Sequence, residues 1–567
     1  MSAASWMRSF ARRRTAGFRR FLAVLVIVLA VEIVVQIANP FGIEDAIKAR
    51  ATQTLQLVTA PFYGGGKETP GQKVVTVVLI DPEYFRAVRP QGAKPIWPMP
   101  VDMLTMGVIR RIVDSGPKAV FVDIGFPDAP REIVDGGSNS RAEALDMLGT
   151  RLSQLNPEVP VFLGDSISSS VELAEANQSC GVDFVPTGSI RAHNLIAAPL
   201  LDKLFPGPKP GANLEVVDAS WRGNPGDYQL APATTGEGNC RGLQQEHKGY
   251  IASPALALFA AYAKHCPNGA REICSQPHFM RLAQSIEVAT TPPSRDGLRT
   301  YELHGKAAGE MSPRWGIGLS RNMNKFFRNA YGTDACYDQF YGNRFDPLKN
   351  YLLHLLGPIE RRLGKSTHRR CVYIDTISAA ALLDPRRFGG PEPTADGQQH
   401  QSIQDAFLKD RIVLLGVNLP QAGDSFASPI NGAIPGVYMH AVALENLITF
   451  GDRFHTAEAS FVGWLAMIVL VVILFHAMTW LWEVLCIRLS AVAPGWGMHL
   501  LAPLSYVAIM FCLGSLIILA LSWTDLPLTE MAGPIITLHV IFFSGLVANW
   551  RDALLAKFAK TSDEPVK

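Results

Sequence analysis

The chain carries almost no net charge. Lys and Arg number 52 against 50 Asp and Glu, a formal balance of +2. It therefore lacks the basic excess with which proteins neutralise phosphates, and no nucleic-acid partner is expected. Its 8 cysteines include no CxxC pair, which removes the usual spacing of a structural zinc site. Neither a metal nor a cofactor is expected. Long apolar runs, in contrast, are plentiful, and their placement divides the chain.

One run lies near the start, Phe21–Ala38, and three lie at the end, Phe461–Trp482, Leu500–Leu521 and Met531–Trp550. Each is long enough to cross about 30 Å of hydrocarbon as a helix. Arg8, Arg12, Arg13, Arg14, Arg19 and Arg20 precede the first run, which keeps that end cytoplasmic. Alternation then places Arg488 inside, the Ser522–Glu530 loop (no Lys or Arg) outside, and Arg551, Lys557 and Lys560 inside. The expected organisation is a basic cytoplasmic segment 1–20, span 21–38, an outer domain 39–457, spans 461–482, 500–521 and 531–550, and a tail 551–567. The bilayer is thus a partner. The first run is longer than a signal-peptide core and has no small-x-small cleavage site after a short core, so it reads as a retained anchor. Glu32 interrupts it, a costly placement unless the group is paired or reaches water. At 1.5 Å rise, Glu32 and His539 both lie about 12 Å from the outer face and could meet in a four-helix bundle; snorkelling of Glu32 to the interface is the alternative.

Cys180, Cys240, Cys266, Cys274, Cys336 and Cys371 fall in the outer domain. An even set on an oxidising side suggests disulfides. Sequence proximity favours Cys266–Cys274, with Cys180–Cys240 and Cys336–Cys371 stapling irregular stretches.

The outer domain alternates strand and helix. Lys73–Ile80 is a continuous Val-rich run suited to a strand buried on both faces, and Lys118–Phe126, Val159–Gly164 and Arg411–Val417 are similar. Helical spacing marks Val101–Ser115, Arg141–Leu155, Ser253–Lys264 and Tyr438–Ile448, and Val372–Leu383 holds a short strand and helix. This order predicts an α/β domain: a mostly parallel mixed sheet with helices on both faces, beside an all-α membrane bundle. Phe205–Gly249, Thr290–Arg370 and Pro385–Gln401 break the pattern and read as long irregular insertions. The basic cluster Arg361, Arg362, Lys365, His368, Arg369 and Arg370 reads as a solvated face.

Strand-like runs end in or run into Asp81, Asp123 and Asp165, and Asp424 follows the last of them. Ligands of open α/β sheets bind outside the carboxyl ends of the strands. These carboxylates suit an amine, a guanidinium or a hard cation. Each could equally cap a helix or close a turn.

Val75–Asp81, Trp97-Pro98 opening a helix, and Ala119–Phe126 resemble the front of the second-class CHASE domains (cyclases/histidine kinases associated sensory extracellular). Ile412–Gly416, Asp424, Ser428-Pro429, Pro435-Gly436 and His440-Ala441 resemble its rear, and Ile374–Leu383 its penultimate segment. The resemblance spans most of Gln36–Trp550. It implies a bacterial inner-membrane sensory protein whose outer domain binds a small ligand or envelope partner, with Asp81, Trp97, Asp123, Asp165 and Asp424 as ligand-binding candidates. Val101-Asp102 stand where the family often has Arg after Trp-Pro. Family members commonly carry a cytoplasmic cyclase or kinase domain. The residues after Trp550 are too few for one, so the expected output is a separate cytoplasmic or membrane protein, with a homo-oligomer as a further possibility.

Two other classes compete. Gly164-Asp165-Ser166-Ile167 resembles the nucleophile block of GDSL-type esterases, with Asn418 as an oxyanion donor and Asp452–His455 supplying the base. That family carries its Ser block on the first strand, and here it follows two. A docking component of a membrane complex is the other class, recognisable by a flat apolar patch instead of a pocket.

Overall fold

The computed structural model describes chiefly residues 68–88, 99–125, 141–165, 198–205, 213–220, 227–231, 246–266, 271–288, 298–323, 371–383, 403–420 and 424–454, with scattered positions elsewhere. The chain separates into two compact units, Thr59–Thr456 and a second made of Met1–Val58 with Ala457–Lys567. Among the described residues no helix is long and apolar enough to cross a membrane. The four apolar runs, with Glu32 and His539, lie almost wholly outside the described residues.

The larger unit is built on six strands: β1 (Val75–Ile80), β2 (Ala119–Val122), β3 (Val161–Asp165), β4 (Leu214–Asp218), β5 (Asp375–Ser378) and β6 (Ile412–Val417). Their order is β5-β1-β6-β2-β3-β4, and every pairing is parallel. All six strands therefore end on one edge. All of β1 is buried, because its residues alternate between two cores: Val75, Val77 and Leu79 face the rear cluster, and Val78 and Ile80 the front one. A strand covered on both faces needs no polar alternation, which is why it is legible as one apolar run.

Helices α1 (Pro82–Val88) and α2 (Arg141–Ser153) send Tyr84, Phe85, Leu145, Leu148 and Leu152 into the front cluster. The expected helix after Pro100 forms, with a π-helical turn at Thr105–Ile109 inside it. The rear carries α3 (Pro254–Lys264), α4 (Pro277–Gln284) and α5 (Val437–Phe450). Ser253 caps α3 by accepting from the Leu256 N–H, and Pro254 opens its first turn, the favoured residues for those positions. Every residue of α5 from Val437 to Ile448 is buried. A helix enclosed on all sides must satisfy its polar residues internally, and this one carries His440, Glu445 and Asn446.

The insertions read as irregular contain further strands. β4 lies inside Phe205–Gly249 and extends the main sheet. Ile286–Val288, Thr300–Leu303, Glu246–Ile251, Ala233–Glu237 and Phe184–Pro186 form a second, five-stranded sheet whose pairings are mostly antiparallel. The α/β expectation therefore holds for the main sheet and missed the second.

Cys266 and Cys274 form a disulfide, joining the end of α3 to the short helix Arg271–Cys274. Cys371 is also disulfide-bonded; Cys180, Cys240 and Cys336 lie outside the described residues. Closing a loop of this size restricts the unfolded chain, so Cys266→Ser is expected to lower stability by about 2–3 kcal/mol. Chemical unfolding of the full chain in detergent checks this, and an unchanged midpoint would refute it.

Candidate functional site

The carboxyl edge collects the acidic residues. Asp81 follows β1, Asp123 follows β2, Asp165 ends β3 and Asp218 ends β4, and Asp165 lies opposite Asp218 in register. Asp424 belongs to the loop after β6. Because β6 is inserted between β1 and β2, that loop emerges between the ends of the two strands.

The contacts described for these groups differ from one to the next. Asp123 and Asp424 interact: burial and the neighbouring Asp424 charge push the Asp123 carboxyl well above the usual range. Burial also raises Asp424, offset in part by the Gly436 N–H, which donates to Asp424 Oδ2 at 3.2 Å. Asp81 is occupied elsewhere. Its Oδ1 accepts from Ser378 Oγ at 2.7 Å and from the Tyr84 N–H at 3.0 Å, so it caps α1 and ties β1 to the end of β5. Burial raises its pKa as well. Asp165 is fully buried, and its carbonyl accepts from the Ala219 N–H. Trp97 is half-buried against the front core.

Two glycines set the pair's geometry. A Cβ at Gly436 would lie 2.3 Å from Asp424 Oδ1, and one at Gly416 would lie 2.4 Å from a Val437 methyl. Only glycine lets the start of α5 approach both the carboxylate and β6 this closely. One turn along the helix, His440 Nδ1 is 2.7 Å from the Tyr228 hydroxyl, and Phe121 meets the imidazole edge-on at 5.3 Å. Burial holds His440 down to about 3, so the imidazole is neutral. Burial raises the Tyr228 phenol, with added contributions from the Asp123 and Asp218 charges. Sequence reasoning missed Tyr228 as part of this region: nothing in its local context links it to a residue more than two hundred positions away.

The esterase constellation is not assembled by the described residues. Asn418 sits at the carboxyl edge, its N–H bonded to the Ile80 carbonyl. Ser166 and His455 lie outside the described residues. Phe454, just before His455, packs in the rear core, past the end of α5, and α5 runs from the carboxyl edge back to the amino edge beside Gly71. Among the described residues, Glu287, Glu302 and His304 could hold a metal ion. They are exposed on the second sheet, with Glu287 directly opposite Glu302.

The model of the CHASE2 domain matches residues 23–479. The chain belongs to the CHASE2 family. CHASE2 domains are extracellular sensory domains, which gives this chain a sensory role and fits a protein without catalytic activity. Comparison with curated proteins and with solved structures finds no match. In this CHASE2 protein the rear motif has a physical basis: Gly416, Asp424 and Gly436 together bring the start of α5 against the carboxyl edge.

Proposed function

We propose that this CHASE2 protein is a membrane-anchored receptor whose outer domain binds a small cation at Asp123 and Asp424 and signals to a separate output protein. The Asp123–Asp424 pair carries the reading. Asp123 is half-buried and Asp424 lies at the exposed mouth of the edge; two carboxylates that act on each other in this way repel unless they share a proton or a cation lies between them, and the Gly436 N–H donates to Asp424 alone. A protonated amine, a guanidinium or a hard metal ion supplies the missing charge. The four apolar runs support a bilayer anchor with the outer domain on the periplasmic or exterior side of a bacterial inner membrane.

Ca2+, Mn2+, putrescine and agmatine serve as probes in calorimetric titrations of the full chain. One of them is expected to bind, more tightly as pH rises through the raised carboxyl range, and at least about tenfold more weakly in Asp123→Asn. If none binds at any pH, the cation reading is wrong. The same groups set a stability trend. Carboxyls whose folded pKa is raised stabilise the fold below their unfolded pKa, and that contribution is lost as pH rises through the folded value. Without ligand, Asp123→Asn should therefore gain on the native protein in unfolding midpoint as pH rises.

A further inference from the structure

At the opposite edge of the sheet a carboxylate is enclosed, in a different setting. Glu445, in the third turn of α5, is 0% exposed. Its carboxylate accepts from Tyr63 Oη at 2.7 Å, Thr69 Oγ1 at 2.5 Å, Tyr373 Oη at 2.8 Å, Thr449 Oγ1 at 2.8 Å and Asn446 Nδ2 at 3.1 Å. Two of these donors have no freedom to turn away. Thr449 Oγ1 already accepts from the Gly71 N–H at 3.0 Å, and Thr69 Oγ1 from the Gln72 N–H at 3.1 Å, so each hydroxyl hydrogen is directed at Glu445. Backbone of the segment before β1 is thereby bonded, through one hydroxyl in each case, to a side chain of α5.

Packing follows the same line. A Cβ at Gly71 would lie 2.4 Å from the Glu445 carbonyl, so the two backbones touch. The Tyr63 ring stacks on Phe450 at 5.7 Å, and the Arg314 guanidinium lies 5.0 Å from the Phe450 ring centre. Chain position gives this contact its meaning. The unit runs from Thr59 to Thr456; Tyr63, Thr69 and Gly71 belong to its entry, and α5 is its last long element. The other end of α5 starts at Gly436 against Asp424, and 14 helical residues span about 20 Å.

We propose that Glu445 is a latch that fastens the entering segment to the leaving helix, so that a displacement of α5 at Gly436 reaches both ends of the domain together. The latch stands on its own contacts; only the delivery step draws on the carboxyl edge as the sensing site, and it does not depend on the ligand being a cation.

Hydrogen exchange of the full chain in detergent, read by mass spectrometry, tests it, because the Gly71 amide itself is bonded into the latch. Glu445→Gln is expected to raise exchange at Gly71–Gln72 and in the last turn of α5 by at least about tenfold, with the β1 amides unchanged. A rise in α5 alone, or none, overturns the latch. Asp424→Ala, which removes the acceptor of the Gly436 N–H, is expected to change exchange at Gly71–Gln72 in the native background and not in the Glu445→Gln background; equal changes in both would show independent sites and overturn the delivery. If Glu445→Gln does not fold, Thr449→Val removes only one relay hydroxyl and carries both readouts. Failure of every cation probe would leave these outcomes as they are, so the two proposals fail separately.

Discussion

Arg411→Met is expected to lower the stability of the outer domain by about 3–5 kcal/mol, the usual cost of breaking a buried pair from one side. The Arg411 guanidinium donates to Asp375 Oδ2 at 2.7 Å and to Thr76 Oγ1 at 3.2 Å, and lies 5.7 Å from the Phe407 ring centre. Asp375 is 0% exposed, and Ser320 occupies its other oxygen. Thr76 is the residue of β1 that faces Asp375 in register, so one side chain ties β6, β1 and β5 at their amino ends. Met keeps the apolar stem and leaves Asp375 as an uncompensated buried charge. Burial already raises the Asp375 pKa, with Arg411 the first of the opposing influences. Removing Arg411 raises it further, so the variant takes up a proton on folding and its deficit narrows as pH falls. Urea unfolding at neutral and mildly acidic pH checks both points. A deficit under about 1 kcal/mol at neutral pH, or one that widens in acid, would show that the pair is not the tie described.

Gly451→Ala is expected to cost about 3 kcal/mol or more, from two independent sources. Gly451 follows α5 with φ +56° and ψ −130°, a region that side-chain-bearing residues adopt only under strain of about 1–3 kcal/mol. An added Cβ would also lie 2.2 Å from the His278 carbonyl oxygen and 2.6 Å from the Phe279 amide. Both are backbone atoms of α4 and cannot rotate aside, so the helix must shift, and overpacking of this kind costs about 1–3 kcal/mol more. The Arg281–Asp452 pair, 2.6 Å across the same junction, would be pulled apart with it. Thermal unfolding of the full chain measures the loss; a change within about 0.5 kcal/mol would mean that the junction is pliable.

Much of the main sheet is legible because its strands are enclosed. Lys73–Ile80 and Arg411–Val417 read as continuous apolar runs since each face meets its own core. β4 escaped notice because Leu214–Asp218 is five residues long within a stretch rich in Gly and Pro, and its burial comes from β3 beside it. The second sheet was hidden for a related reason. Ile286–Val288 and Thr300–Leu303 are half-exposed, the strands of this sheet carry Glu, His and Thr, and they gain their order from partners across the insertion.

Residues bearing the site were partly visible in the same way. Asp81, Asp123 and Asp165 stand out because each carboxylate interrupts an apolar run where a buried parallel strand stops at the edge, although Asp165 is itself fully buried. Their division of labour was not visible. Asp81 belongs to Ser378, 297 positions away, and Asp123 belongs to Asp424 through the insertion of β6 beside β2. Glu445 gave no signal at all, since one acidic residue in an apolar helix reads as an interruption until Tyr63, Thr69 and Tyr373 are brought to it.

By itself, then, the sequence determined that strands and helices alternate into a parallel α/β sheet, and that carboxylates stand where the strands end, because apolar runs and their polar stops are local properties of the chain. Only the tertiary structure decided which carboxylates act on each other, which caps a helix and which is buried within α5's own contacts, because those assignments depend on strand order and on contacts between residues hundreds of positions apart.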